Sequence, residues 1–259
     1  MRKTRVLFAI MALLPILVFS LNAFSARWFY PQLLPTEWTL EPFLRVVNDP
    51  RTSLAATNGL GVAALVTVAS LLLSFPAARA LTRHVLRGRE AITLMLLLPT
   101  VLPPIAIGMG LNTLFLQLEL TGTVFGVALA HVVPVLPYTI TTLVGVFARF
   151  DANYEHQATV LGAPPLQMLL QVTLPMVLPG VVVAALFAFL GSWSQYLLTL
   201  LIGGGQVLTL PMLLFAATSG SNPTLIASLA LLFLLPPLLA IAFAARQLMS
   251  QEADMHMSV

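Results

Sequence analysis

The 259-residue chain has no cysteine, one lysine, and a charged fraction of only 8%. The missing cysteines exclude disulfides and thiolate metal sites. A P-loop needs a lysine beside its glycine-rich turn, and the one lysine, Lys3, lies in the N-terminal tail. Gly203-Gly204-Gly205 therefore reads as a flexible turn and not as a nucleotide site. No HExxH and no GxSxG occurs, so neither a zinc hydrolase nor a serine-nucleophile elbow is indicated. These gaps point away from an enzyme, and no cofactor or metal is expected in the chain. The pI of 9.8 is explained by arginines meeting anionic lipid headgroups, so nucleic acid is not an expected partner.

Apolar surface is what the chain has in abundance: 59% of its residues are hydrophobic and the mean hydropathy is +0.97. A water-soluble domain of that composition would expose large apolar patches, so the lipid bilayer is the expected surroundings. At about 20 residues per transmembrane helix, apolar windows bounded by charges or turn residues predict six spans, over 6–25, 56–82, 91–116, 124–147, 177–200 and 224–245. The expected fold class is all-α: a polytopic membrane protein, one domain over 1–259, with a polar loop at 148–176 between the fourth and fifth spans.

Arginine placement orients that bundle. Arg2, Lys3 and Arg5 precede the first span, Arg79, Arg83, Arg87 and Arg89 cluster between the second and third, Arg149 follows the fourth and Arg246 the sixth. Six spans put all of these on one side and leave Arg27, Arg45 and Arg51 opposite. The positive-inside rule then places both termini and the 148–176 loop in the cytoplasm. Cleavage of a signal peptide near Ala23, Ser25 and Ala26 would leave five spans. The first apolar stretch is longer than the usual ~7–15-residue h-region, so an uncleaved helix is expected. Trp28, Tyr30 and Trp38 on the opposite side are typical interface anchors.

None of the six spans carries Asp, Glu, Lys or Arg in its central part, whereas ion-coupled carriers place an ionisable residue near the midplane. His131, in the fourth span, is the titratable exception. It is either a histidine hydrogen-bonded between helices or a substrate contact or proton relay. Pro99, Pro103 and Pro104 interrupt the third span and Pro134 and Pro137 the fourth. Each removes a backbone donor and frees a carbonyl that lipid cannot satisfy, which predicts that these faces turn toward protein or water. Tyr138, Ser192, Gln195 and Tyr196 stand at compatible depth, the last three sharing a helical face at i, i+3 and i+4. They either line a path or tie helices together.

Residues 151–175 read DANYEHQATVLGAPPLQMLLQVTLP. Asp151 suits an N-cap, Ala152 to Leu161 a short helix, and Gly162 the left-handed residue that ends it. Pro164 and Pro165 start a second short helix, with Leu166, Leu169 and Leu170 on one face and Leu174-Pro175 closing the element before the fifth span. Such a face suits a groove on a partner or the membrane surface.

With Gly162 and Leu174-Pro175 at the family's spacing, this segment resembles the cytoplasmic EAA loop of type I binding-protein-dependent ABC importer permeases. The family's Glu-Ala-Ala falls on His156, Gln157 and Ala158, with Glu155 one residue early. Trp38-Thr39-Leu40-Glu41 and Thr209-Leu210-Pro211 add to the likeness, which is nearest to the polyamine, ferric iron and thiamine branch. The resemblance implies a bacterial inner-membrane transport subunit that couples a solute path to separate ABC ATPase subunits, which bind ATP and Mg. A second permease chain, identical or related, and an extracytoplasmic solute-binding protein complete the implied assembly. Glu155, Gln157 and Ala158 would meet the ATPase, Gly162 supply the bend, and Leu166, Leu169 and Leu170 the docking face. His131, Tyr138, Ser192, Gln195 and Tyr196 are the candidate solute-path residues, and a polyamine-like cation is the first expectation for the solute. Alternatives from other classes are an ion-coupled secondary transporter working through His131 and a membrane scaffold that moves no solute.

Overall fold

Prolines and glycines set most helix boundaries in the computed structural model. It describes the backbone of residues 2–28, 32, 34–83, 87–220 and 222–257, and the side chains within those ranges except 2–10, 12, 27 and 250–257. Tyr30 and the side chains of Arg2, Lys3, Arg5 and Arg27 lie outside the described set. Cα packing divides the chain into two compact units, residues 1–60 with 205–239 and residues 61–204 with 240–259.

In the first unit α1 (Arg2–Ala23) covers all but the last two residues of the stretch expected for the first span. A short antiparallel pair follows, β1 (Ser25–Arg27) against β2 (Glu37–Trp38), with Ser25 opposite Trp38. The helix α2 (Glu41–Val47) then starts at a proline-bearing first turn, and Phe43 packs its ring 5.3 Å from that of Phe24. Asp49 caps the start of α3 (Pro50–Arg83) by accepting from the Arg51 N–H at 2.8 Å, as an N-terminal acceptor should. Later in the chain α11 (Leu210–Ser219) opens at Pro211. The preceding Leu208 carbonyl accepts from the Asn58 amide at 3.2 Å.

The second unit is built on α6 (Val124–Phe147). Thr123 caps it by accepting from the Gly126 N–H at 3.0 Å. In its most apolar window 56% of the residues are buried, against 17–28% in the other three long apolar helices, so α6 is the most enclosed of the four. Leu143 and Phe147 of α6 form a core with Ala78 of α3 and with Val177 and Ala184 of α9 (Leu174–Trp193). Gly180 allows this approach: a Cβ there would stand 2.1 Å from Val146 Cγ2, far inside van der Waals contact.

Four helices among the described residues are long and apolar enough to cross a membrane: α3, α6, the run Pro165–Trp193, and α12 over Pro223–Met249 of its full Pro223–Met257. The expected third span, 91–116, is not one helix. It divides into α4 (Arg89–Val101) and α5 (Pro104–Gln117), bent by 101°. Pro103 and Pro104 supply no N–H for the ladder, and Leu102 and Pro103 take extended ψ values of 140° and 131°, as residues before proline do. The expected fifth span, 177–200, also needs correction. Its helix begins well before 177 and ends at Trp193, and a separate α10 (Leu197–Gly203) follows the break at 194–196.

Candidate functional site

The 148–176 loop folds into α7 (Asn153–Val160), a glycine bend, α8 (Pro165–Met168) and a π-helical turn, Leu169–Thr173. Asp151 accepts from the Asn153 N–H at 2.9 Å, starting α7 one residue later than the sequence pattern places it. Gly162 has φ of +82°, a region that costs L-residues strain. Around it the Gly162 N–H bonds the Thr159 carbonyl and the Ala163 N–H bonds the Ala158 carbonyl, each at 3.0 Å, the reverse-turn bonding of a left-handed helix end. Leu174-Pro175 does not close the element as expected. The helix runs on into α9, and the π turn lies just ahead of Pro175. A proline ring clashes with the carbonyl four residues back, here that of Gln171, and a widened turn relieves the clash.

Several apolar side chains of this loop are exposed. Leu166 is 67% exposed, Leu170 52%, and Val160 and Leu161 86% each. Leu169, Leu174 and Met168 are partly covered, while Gln157 and Pro175 are exposed and Ala158 is buried. Val160 and Leu161 escaped the reading of the Leu face because they belong to the first helix. Their signal is an apolar pair directly before the glycine.

Glu155 corrects the reading of an outward polar contact. Its side chain is only 7% exposed and points into the protein. Oε2 accepts from Arg79 Nη2 at 3.1 Å and from Arg83 Nη1, while Oε1 accepts from the Thr173 hydroxyl. The Arg83 guanidinium also stacks on the Phe150 ring, 5.1 Å from its centroid. A carboxylate in this setting is compensated by charge and by hydrogen bonds on both oxygens, the condition under which a buried charge is tolerated.

The solute-path candidates are only partly brought together. His131 is 1% exposed, with Nδ1 3.0 Å from Ser192 Oγ and Nε2 3.0 Å from Thr199 Oγ1. The Thr199 hydroxyl donates to the Gln195 carbonyl at 2.9 Å, so its oxygen accepts from Nε2–H and Nδ1 accepts from Ser192. His131 thus ties α6 to α9 and α10 on either side of the helix break, as the interhelical alternative expects. The shared face expected for Ser192, Gln195 and Tyr196 is lost because the helix ends at Trp193. Ser192 is buried, Gln195 and Tyr196 are partly exposed, and Tyr138 is exposed. Thr199 went unnoticed in the sequence, since one threonine in an apolar run carries no signal. α10 is fastened further by the Asn112 amide donating to the Leu201 carbonyl at 2.6 Å and the Gly122 N–H donating to the Ile202 carbonyl at 2.8 Å.

An open groove of about 700 Å³ runs along α6 and α9, with Thr141, Thr142, Arg149, Asp151 and Tyr154 as its polar lining. None of the five candidate path residues borders it. Among the described residues no three His, Asp or Glu side chains converge as a metal site would require.

A family profile described as the binding-protein-dependent transport system inner membrane component matches residues 71–252. A protein of Salmonella paratyphi A named for 2-aminoethylphosphonate transport, as system permease, is 29% identical over 220 residues, covering 84% of this chain and 82% of that protein. The molybdenum transport system permease protein of Mycobacterium bovis is 32% identical over 221 residues, with 79% and 83% covered. The trehalose transport system permease protein of Mycobacterium tuberculosis is 29% identical over 214 residues, with 82% and 78% covered. In fold, the chain is similar to a solved bacterial ABC transporter for import of the acidic polysaccharide alginate. The TM-score is 0.74 at 20% identity, covering 95% of this chain and 94% of that one.

Proposed function

The chain belongs to the inner membrane components of binding-protein-dependent transport systems, and we propose that it receives the work of separate ATPase subunits through its 148–176 loop. It is a multi-pass inner-membrane transport subunit of an ABC importer. The observation that carries the proposal is the exposed apolar surface of Val160, Leu161, Leu166 and Leu170, on a loop anchored at Glu155 and bent at Gly162. Exposed apolar side chains gathered about a polar glycine bend mark an interaction surface, and a short helix presenting them suits a groove on a partner. Arginine placement supports a cytoplasmic loop and cytoplasmic termini, the side on which ATP is available. A second permease chain and an extracytoplasmic solute-binding protein complete the assembly.

For the solute we place a small phosphonate ahead of a polyamine. The relatives described above are named for 2-aminoethylphosphonate, molybdenum and trehalose, and none of these three is named for a polyamine. The Arg149 guanidinium, which borders the groove, is a group suited to phosphonate oxygens.

The test is reconstitution in lipid with the candidate ATPase and binding protein. The ATPase should co-purify with wild type, its hydrolysis should rise with loaded binding protein, and Leu166→Asp with Leu170→Asp should abolish both. Wild-type protein that neither retains nor stimulates the ATPase would end the proposal. Uptake driven by a proton gradient without ATP would instead favour the ion-coupled reading. Uptake compared between 2-aminoethylphosphonate and spermidine decides the solute class.

A further inference from the structure

The loop continues covalently through α8 and the π turn into α9, so a push on it reaches α9 along the chain. It has no such path to α3: Glu155 is 76 residues from Arg79 and 72 from Arg83. Yet two separate parts of the loop reach the C-terminal end of α3, and a third braces the contact. Phe150, at its start, lies under the Arg83 guanidinium at 5.1 Å. Glu155, on α7, binds Arg79 and Arg83, which stand four residues apart and so share a helix face. Thr173, at its end, is fully buried and donates to the free oxygen of the same carboxylate.

We infer that Glu155 is a positioning residue that latches the loop to the end of α3, so that a displacement of the loop by the ATPase moves α3 together with α9. The inference rests on the reading of the loop as the ATPase-docking element. Burial makes the latch stiff: with both carboxylate oxygens occupied and the side chain sealed from water, separating loop and helix would strand a charge in a place that cannot solvate it. The arrangement also separates two tasks within one short loop. Exposed Leu166 and Leu170 hold the partner, and buried Glu155 distributes the motion.

The experiment uses the assembled importer in lipid, with Glu155→Gln, which keeps the shape of the side chain and removes its charge. The docking leucines are untouched, so the ATPase should co-purify as with wild type. Solute moved per ATP hydrolysed should fall about fivefold or more, the scale of a lost coupling between sites. Hydrogen exchange supplies a readout that loss of fold alone would not mimic. In the wild-type complex ATP should change the protection of residues 77–83 and 153–160 together, and in the variant only that of 153–160. Unchanged transport per ATP in Glu155→Gln would overturn the latch while leaving the docking proposal standing. So would a wild-type complex in which residues 77–83 ignore ATP, a result that holds even where the variant fails to assemble. Absence of the ATPase from wild-type preparations would overturn both.

Discussion

His131→Leu separates a structural histidine from a solute contact. The ring is fully buried and its two nitrogens bond Ser192 Oγ and Thr199 Oγ1, both at 3.0 Å. Leucine fills a similar volume, so the loss is mainly polar. Each buried hydrogen bond is worth about 1 kcal/mol net, and the stranded Ser192 hydroxyl adds roughly 1–3 kcal/mol, for a total of about 3–5 kcal/mol. Thr199 keeps its bond to the Gln195 carbonyl and adds little. At roughly 2–4 °C per kcal/mol for a chain of this size, thermal unfolding in detergent should fall by on the order of 10 °C. His131→Leu combined with Ser192→Ala and Thr199→Val removes donors and acceptors together, which can be close to neutral. That triple variant should therefore recover most of the loss, and uptake per folded molecule should keep the wild-type KM in both. An unchanged melting temperature in the single variant would refute this account, and so would a raised KM without loss of stability, which would make His131 a solute contact.

Two further substitutions probe the helix pair and the bend. Gly180→Ala drives a methyl to within 2.1 Å of Val146 Cγ2 and should cost about 1–3 kcal/mol, as overpacking does. Adding Val146→Ala should return most of it, and a double-mutant cycle in thermal unfolding with no interaction energy would contradict the contact. Gly162→Ala meets no atom within 4 Å but must hold φ of +82°, costing roughly 1–2 kcal/mol through the backbone alone. Its signature is weaker ATPase co-purification with a fall of about 2–8 °C in melting temperature. Equal co-purification of Gly162→Ala and wild type would show that the bend does not set the docking surface.

The helical class and most of the spans were legible because each depends on a run of apolar residues and on where arginines stop it. The break in the third span was half legible. Pro103 and Pro104 announced an interruption, but the 101° bend depends on what the two halves pack against. The break at 194–196 carried no local sign, as Ser194, Gln195 and Tyr196 include neither proline nor glycine. In the loop, Gly162 was readable since its backbone angle is a local demand, whereas Glu155 was misread as an outward contact because its arginine partners lie more than 70 residues earlier.

The sequence by itself determined that this is a polytopic helical membrane protein with a glycine-bent loop, since burial in lipid, charge asymmetry and left-handed backbone are properties of neighbouring residues. Only the tertiary structure decided which polar groups face inward. His131 and Glu155 look alike in the sequence, each a titratable residue with no visible partner. Each acquires its role from side chains brought close by helix packing, Ser192 and Thr199 for one and Arg79, Arg83 and Thr173 for the other. A buried polar group must find its hydrogen bonds wherever the fold supplies them, and that supply is a property of the packed bundle.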